Sequence, residues 1–276
     1  MTFGQSFLAF LDSSMETPAS FGWFHLLWLA LTFLVLIPLL RFPKRQENAH
    51  IRRVVLFTAI AVTVLEVYKQ INYSFSYEDG IVFDYQWYAF PWQFCSTPMY
   101  IGLLAGIIRK GRIHDSLCAY LATYAIFAGL AVMIYPGNVF VECVGINIQT
   151  MICHGSMVVI GVYLYASGHV KLHFKTVLKA MPVFAVCVCI AVGLNEWAHA
   201  VGITENHNFN MFYVSPYGEC VLPVYSLIHN AVPFPVNLII YILGFTAAAS
   251  VILLMAKGIA RLGRKQRHRK PEAVEA

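Results

Sequence analysis

Cys95 and His154 are the residues of this 276-residue chain best placed by type and setting for covalent chemistry. Cys95 lies in Trp92-Gln93-Phe94-Cys95-Ser96-Thr97-Pro98, and His154 follows Asn147, Gln149 and Thr150 in an otherwise apolar run. A thiol in apolar surroundings keeps its proton and is inert, so a nucleophilic Cys needs a neighbouring base or a helix N-terminus. Ser96 or Thr97 followed by Pro98 has the form of an N-cap and first helical residue. That would set Cys95 at the positive end of a helix dipole, where backbone donors could also meet an oxyanion. If Pro98 instead kinks a longer helix beginning near Pro91, Cys95 is packing. Thr97 is the reserve nucleophile. The pair works only if sulfur and a ring nitrogen come within roughly 4 Å.

A few other strongly polar residues interrupt the apolar runs: Glu66, Lys69, Gln70 and Asn72, then Gln93, then Asn195-Glu196. Such groups are costly at membrane depth unless they face the bundle interior, which makes them functional candidates. Glu66 or Asn195 could orient the His154 imidazole, and Lys69 could meet an oxyanion or a lipid phosphate. Gln93, Thr97 and Asn210 complete the residues expected to bind or orient a substrate. For Glu66 and Lys69, three apart on one helix, mutual neutralisation is the simpler alternative.

The elements that carry these groups are membrane helices. With 59% hydrophobic and 12% charged residues, the chain is too apolar for a soluble domain. Seven apolar stretches, roughly 21–40, 51–71, 93–109, 115–134, 148–167, 174–194 and 235–256, approach the ~20 residues that cross a bilayer as helix. Of nineteen Lys and Arg residues, all but Lys69 fall in alternate connections and the tail. The positive-inside rule makes those parts cytoplasmic. The expectation is an all-α, seven-helix polytopic bundle with its N-terminus outside and its C-terminus cytoplasmic. Residues 1–20 form an extracytoplasmic segment, 21–256 the transmembrane domain and 257–276 a basic tail. The N-terminus lacks the basic n-region of a cleaved signal, so the first helix is expected to stay. On this topology, the polar groups converge in the outer half of the membrane and predict a cavity there.

Cys118, Cys187 and Cys189 lie in apolar stretches and read as small hydrophobes. Cys143 and Cys220 both fall in outward connections, where a disulfide could form. Tyr73, Tyr77, Tyr85, Trp87, Tyr88, Trp92, Trp197, Tyr213 and Tyr217 crowd the outer boundary, as an interfacial aromatic belt would. Glu196, His199, His207 and His229 read as polar residues of an outward loop, so neither a metal nor a cofactor is expected. The expected partners are membrane lipids, with no nucleic acid.

Pro91-Trp92-Gln93-Phe94-Cys95, His154-Gly155, Asn195 and Asn208-Phe209-Asn210-Met211-Phe212 together resemble the bacterial YwaF-type integral membrane family, related to eukaryotic transmembrane protein 164. The resemblance covers roughly 20–256. It implies a multi-pass protein of the bacterial plasma membrane and acyl chemistry on lipids, a cysteine-dependent transfer from a phospholipid to a lysophospholipid. More distant relatives of the androgen-induced type hydrolyse lipid esters with a Thr and a His. In the third-helix motif the family usually has Leu-His where this chain has Trp92 and Gln93, so a second histidine near the thiol is missing. A proton- or solute-coupled transporter built on Glu66, Lys69 and His154 is the competing reading, and a non-catalytic lipid-binding protein the other. The last apolar stretch holds no Lys, which excludes a retinal Schiff base there.

Overall fold

Chain-long apolar segments with backbone groups that lipid cannot satisfy must close their hydrogen bonds within helices, and the computed structural model is built from them. It describes residues 2–137, 139–229 and 231–268. In chain order the helices are α1 (Phe3–Leu11), α2 (Trp23–Arg41), α3 (Asn48–Asn72), α4 (Thr97–Ile107), α5 (Arg112–Leu121), α6 (Tyr124–Ile134), α7 (Val144–Ala166), α8 (Lys175–Ala200), the single turns α9 (Ile203–Asn206) and α10 (Ser226–His229), and α11 (Phe234–His268). A two-residue hairpin, β1 (Phe75–Ser76) with antiparallel β2 (Val82–Phe83), decorates the connection after α3.

Among the described residues, six spans are long and apolar enough to cross a bilayer: α2, α3, α5 with α6, α7, α8 and α11. The α5–α6 span is the central one, 72% buried against 17% for α2. Around it runs a shell of exposed Leu31, Leu34, Phe57, Val64, Leu243 and Leu254. A shell of that extent would be an aggregation hazard in water and is an ordinary lipid-facing surface in a bilayer. Inside, Tyr120, Tyr124, Phe184 and Tyr241 stack in sequence at centroid distances of 5.6, 4.6 and 6.0 Å. Each buried phenol in the stack finds a partner: Thr97 Oγ1 at 2.7 Å, Thr246 Oγ1 at 2.7 Å and the Phe212 carbonyl at 2.9 Å.

The structure revises the third apolar stretch. Helix α4 has 11 residues, about 16 Å of rise against a hydrocarbon core of about 30 Å. Yet the segment before and through α4 lies antiparallel along nearly all of α3. Gln70 Nε2 donates to the Ala89 carbonyl at one end (2.9 Å). At the other, Arg52 donates to Gly106 and Ile107 (2.8–3.0 Å) and Asn48 donates to Arg109 (2.7 Å). Other boundaries also move. Helix α8 runs past Asn195 to Ala200, and α11 continues from the apolar stretch into the basic tail as far as His268, beyond which the tail lies outside the described residues. Residues 1–20 include α1, closed by a Thr2–Gln5 capping box. The Cys143–Cys220 disulfide is not formed. All seven cysteines are free thiols, and the Cys143 sulfur contacts Tyr68 and the Leu11 carbonyl instead.

Candidate functional site

Cys95 precedes α4 by one residue of N-cap. Ser96 occupies the N-cap position without a side-chain cap bond, Pro98 sits in the first turn, and the Ser96 and Thr97 amides both donate to the Gln93 carbonyl (2.9 and 3.2 Å). The lead-in around 91–93 is non-helical. Pro98 is therefore a helix-start residue, as its fixed φ favours, and the thiol lies beside the amide-rich end of α4. Cys95 is half-buried.

His154 is buried on α7, the α-helix one turn above Thr150. Its Nδ1 lies 2.7 Å from the Thr150 carbonyl. A carbonyl can only accept, so Nδ1 carries the proton and Nε2 presents a lone pair. Nε2 has no hydrogen-bond partner among the described residues. It follows that Cys95 and His154 are not hydrogen-bonded to each other, and that neither Glu66 nor Asn195 holds the imidazole.

The remaining expected residues separate into two networks. In the first, between α3 and α7, Glu66 pairs with Lys69 at 2.8 Å and accepts from Gln70 at 2.8 Å and Gln149 at 3.3 Å. Gln149 Nε2 also lies 3.3 Å from the Cys153 sulfur. Tyr85 closes this network by donating to Gln70 at 2.6 Å. Burial, then the Glu66 charge, pushes its phenol up to about 12, so it remains a donor at neutral pH.

In the second network Gln93, Asn195 and Asn210 clamp the backbone of the loop before α10. Gln93 exchanges bonds with Asn210 and Phe212 (both 3.1 Å), Asn195 with both polar groups of Met211 (2.7 and 3.0 Å), and Asn210 with Ser215 and Glu219 (2.9 and 3.0 Å). The loop holds Phe212 and Tyr213 at φ of 60° and 57°, a region non-glycine residues occupy only when surroundings over-determine it. Phe212 packs on Phe94, the residue before Cys95. Thr97 belongs to neither network and bonds Tyr120 and the Phe94 carbonyl.

Three groups escape the sequence reading. Cys153, beside His154, is a second thiol at this level. His229 is buried rather than solvated, bonded to the Ser215 carbonyl at 3.0 Å and to Asn237 at 3.2 Å. At the opposite, basic end of the bundle, His114, Cys118 and His169 bring their ligand atoms within 4.8 Å of one another. The i, i+4 spacing of His114 and Cys118 is visible in sequence, but Cys118 reads as core until His169 is folded against it.

A family model described as TMEM164 family matches residues 20–257. No curated protein and no solved structure matches the chain.

Proposed function

Since the chain belongs to the TMEM164 family, we propose that it is a multi-pass lipid acyltransferase in which Cys95 is the nucleophile and His154 the general base. The carrying observation is His154 Nε2. A buried acceptor left without a partner costs about 1–3 kcal/mol. A base that must receive a proton during turnover is a physical reason to keep one. The seventh crossing is the stretch from Ala89 to Arg109, irregular in its outer half and helical in its inner half. Non-helical backbone at that depth is tolerated where it is covered by protein or lines a cavity. It sets Cys95 immediately before the N-cap of α4, at the positive end of the helix dipole, while the Ser96 and Thr97 amides turn to the Gln93 carbonyl.

In the reaction, the Cys95 sulfur attacks the carbonyl carbon of a phospholipid ester while its proton passes to His154 Nε2. The tetrahedral oxyanion collapses, the lysolipid alkoxide leaves and takes that proton, and an acyl thioester remains on Cys95. A second lysolipid hydroxyl then attacks the thioester, gives its proton to Nε2 and departs as the new phospholipid, and the thiol is restored. Catalytic hydrogen bonds are often long before substrate binds, so approach of sulfur to nitrogen accompanies loading. Lys69, paired with Glu66 on α3, is the cation of this polar level that would meet the oxyanion or a lipid phosphate.

The test is lipid mass spectrometry on protein reconstituted with an isotopically labelled phospholipid and an unlabelled lysophospholipid. Label moves to the lysolipid with the native chain and with Cys153→Ala, and falls by at least about a hundredfold with Cys95→Ala and His154→Ala. Loss with Cys153→Ala and survival in Cys95→Ala would transfer the nucleophile to Cys153. Failure of every version across several headgroups would remove the enzyme reading.

A further inference from the structure

The geometry points to a transition-metal site of the zinc type at the basic end of the bundle, formed by His114, Cys118 and His169. It stands apart from Cys95 and does not rest on the acyl-transfer reading. Helix α5 starts at Arg112, so His114 and Cys118 are four apart on one face near its first turn. Helix α7 ends at Ala166, and Gly168 takes φ +73°, a left-handed conformation natural to glycine at a helix end. The Gly168 and Val170 amides return to the Tyr165 and Leu164 carbonyls (both 3.0 Å). That reversal folds His169 back onto α5.

Two of the three ligand–ligand distances are close to those of a metal tetrahedron. Zinc bonds of about 2.0–2.1 Å to nitrogen and about 2.3 Å to sulfur place neighbouring ligand atoms roughly 3.3–3.6 Å apart. Here His114 Nε2 and His169 Nε2 are 3.1 Å apart, and the Cys118 sulfur is 3.7 Å from His114 Nε2. These two sides differ from the bound distances by a few tenths of an ångström, and all three ligand atoms lie within 4.8 Å of one another. His114 and Cys118 are 2% and 1% exposed, whereas His169 is half-buried. The ligand set is thus held by core packing on one side and reachable on the other.

One side of the triangle opens on a cavity of about 440 Å³ lined by Cys118 and His169 with Asp115, His173, Lys171 and Lys175. Three protein ligands and a solvent-facing fourth position are the pattern of an open zinc site. Two imidazoles and one thiolate suit zinc and exclude magnesium or calcium, which take oxygen ligands. The Asp115–Lys179 pair, 2.9 Å apart, braces the start of α5 against α8 beside the site.

The experiment strips the purified full chain with a chelator, titrates Co²⁺ and Zn²⁺, and reads metal content by mass spectrometry and Co²⁺ binding by optical absorption. The expected result is one metal per chain with a thiolate-to-cobalt charge-transfer band, retained in Cys95→Ala. In Cys118→Ser, which is nearly isosteric, the band disappears. In His169→Ala, at the accessible corner, affinity falls by about a hundredfold or more. Size-exclusion elution confirms that both variants remain folded. Substoichiometric metal in the native chain, or equal binding by both variants, would overturn the site.

Discussion

Glu66 and Lys69 illustrate how a residue's surroundings decide its reading. Each is mostly buried, with side-chain exposures of 8% and 16%, and Glu66 also accepts from Gln70 and Gln149. Removing one partner of a buried pair leaves an uncompensated charge, which costs about 3–5 kcal/mol, whereas removing both is often near neutral. Glu66→Gln should therefore lower the Tm in detergent more than the double variant Glu66→Gln/Lys69→Met does. A double-mutant cycle would measure the coupling, and additivity of the two single changes would sink it. The polar character of this level was legible in the sequence because charges are so rare in the apolar runs. Its division into two networks was not, since the choice of partner for Gln93 and Asn195 depends on how the loop around 210–215 folds back, a long-range event. The same limit hid the His114, Cys118 and His169 cluster, whose members meet through a turn 55 residues away from α5's start.

Among elements, the α6–α7 contact has the most direct bearing on the proposed base, His154. A side-chain carbon added at Gly129 would lie 2.6 Å from the His154 carbonyl and 3.0 Å from Met157 and Val158. Backbone cannot yield as a flexible side chain can, so Gly129→Ala should push α7 outward at His154. Overpacking of this kind costs about 1–3 kcal/mol, and acyl transfer should fall more steeply than stability, because displacement of about 1 Å can cost a hundredfold in rate. Thermal unfolding beside the lipid assay checks this, and unchanged turnover would show that His154 is not positioned by α6. The apolar runs gave 148–167 as a helix and 115–134 as another, but not the break that divides the latter into α5 and α6. The interior glycine gave no sign of its role, because close approach is a property of the pair. Helix α4 shows the reverse failure: hydropathy over 93–109 is satisfied by a half-length helix and an irregular lead, which a hydropathy window does not distinguish.

The whole molecule is oriented by where its charges fall, and α4 is the segment on which the crossing number turns. If the stretch from Ala89 to Arg109 did not cross, the connection carrying the hairpin and the connection after α4 would share one side of the membrane. Its hydrogen bonds to both ends of α3 argue otherwise, since α3 is itself 25 residues long, a rise of about 37 Å. Asp79 and Lys110 are both exposed, and the positive-inside rule predicts Asp79 outside and Lys110 on the cytoplasmic side. Asp79→Cys should react with a membrane-impermeant maleimide in intact cells, above the level given by the native cysteines, and Lys110→Cys only after permeabilisation. Reaction of both from outside, or of neither, would reduce the crossings to six and leave Cys95 in a re-entrant segment. Reaction of Lys110→Cys alone would keep seven crossings and invert the molecule, carrying the His114, Cys118 and His169 cluster to the outer face.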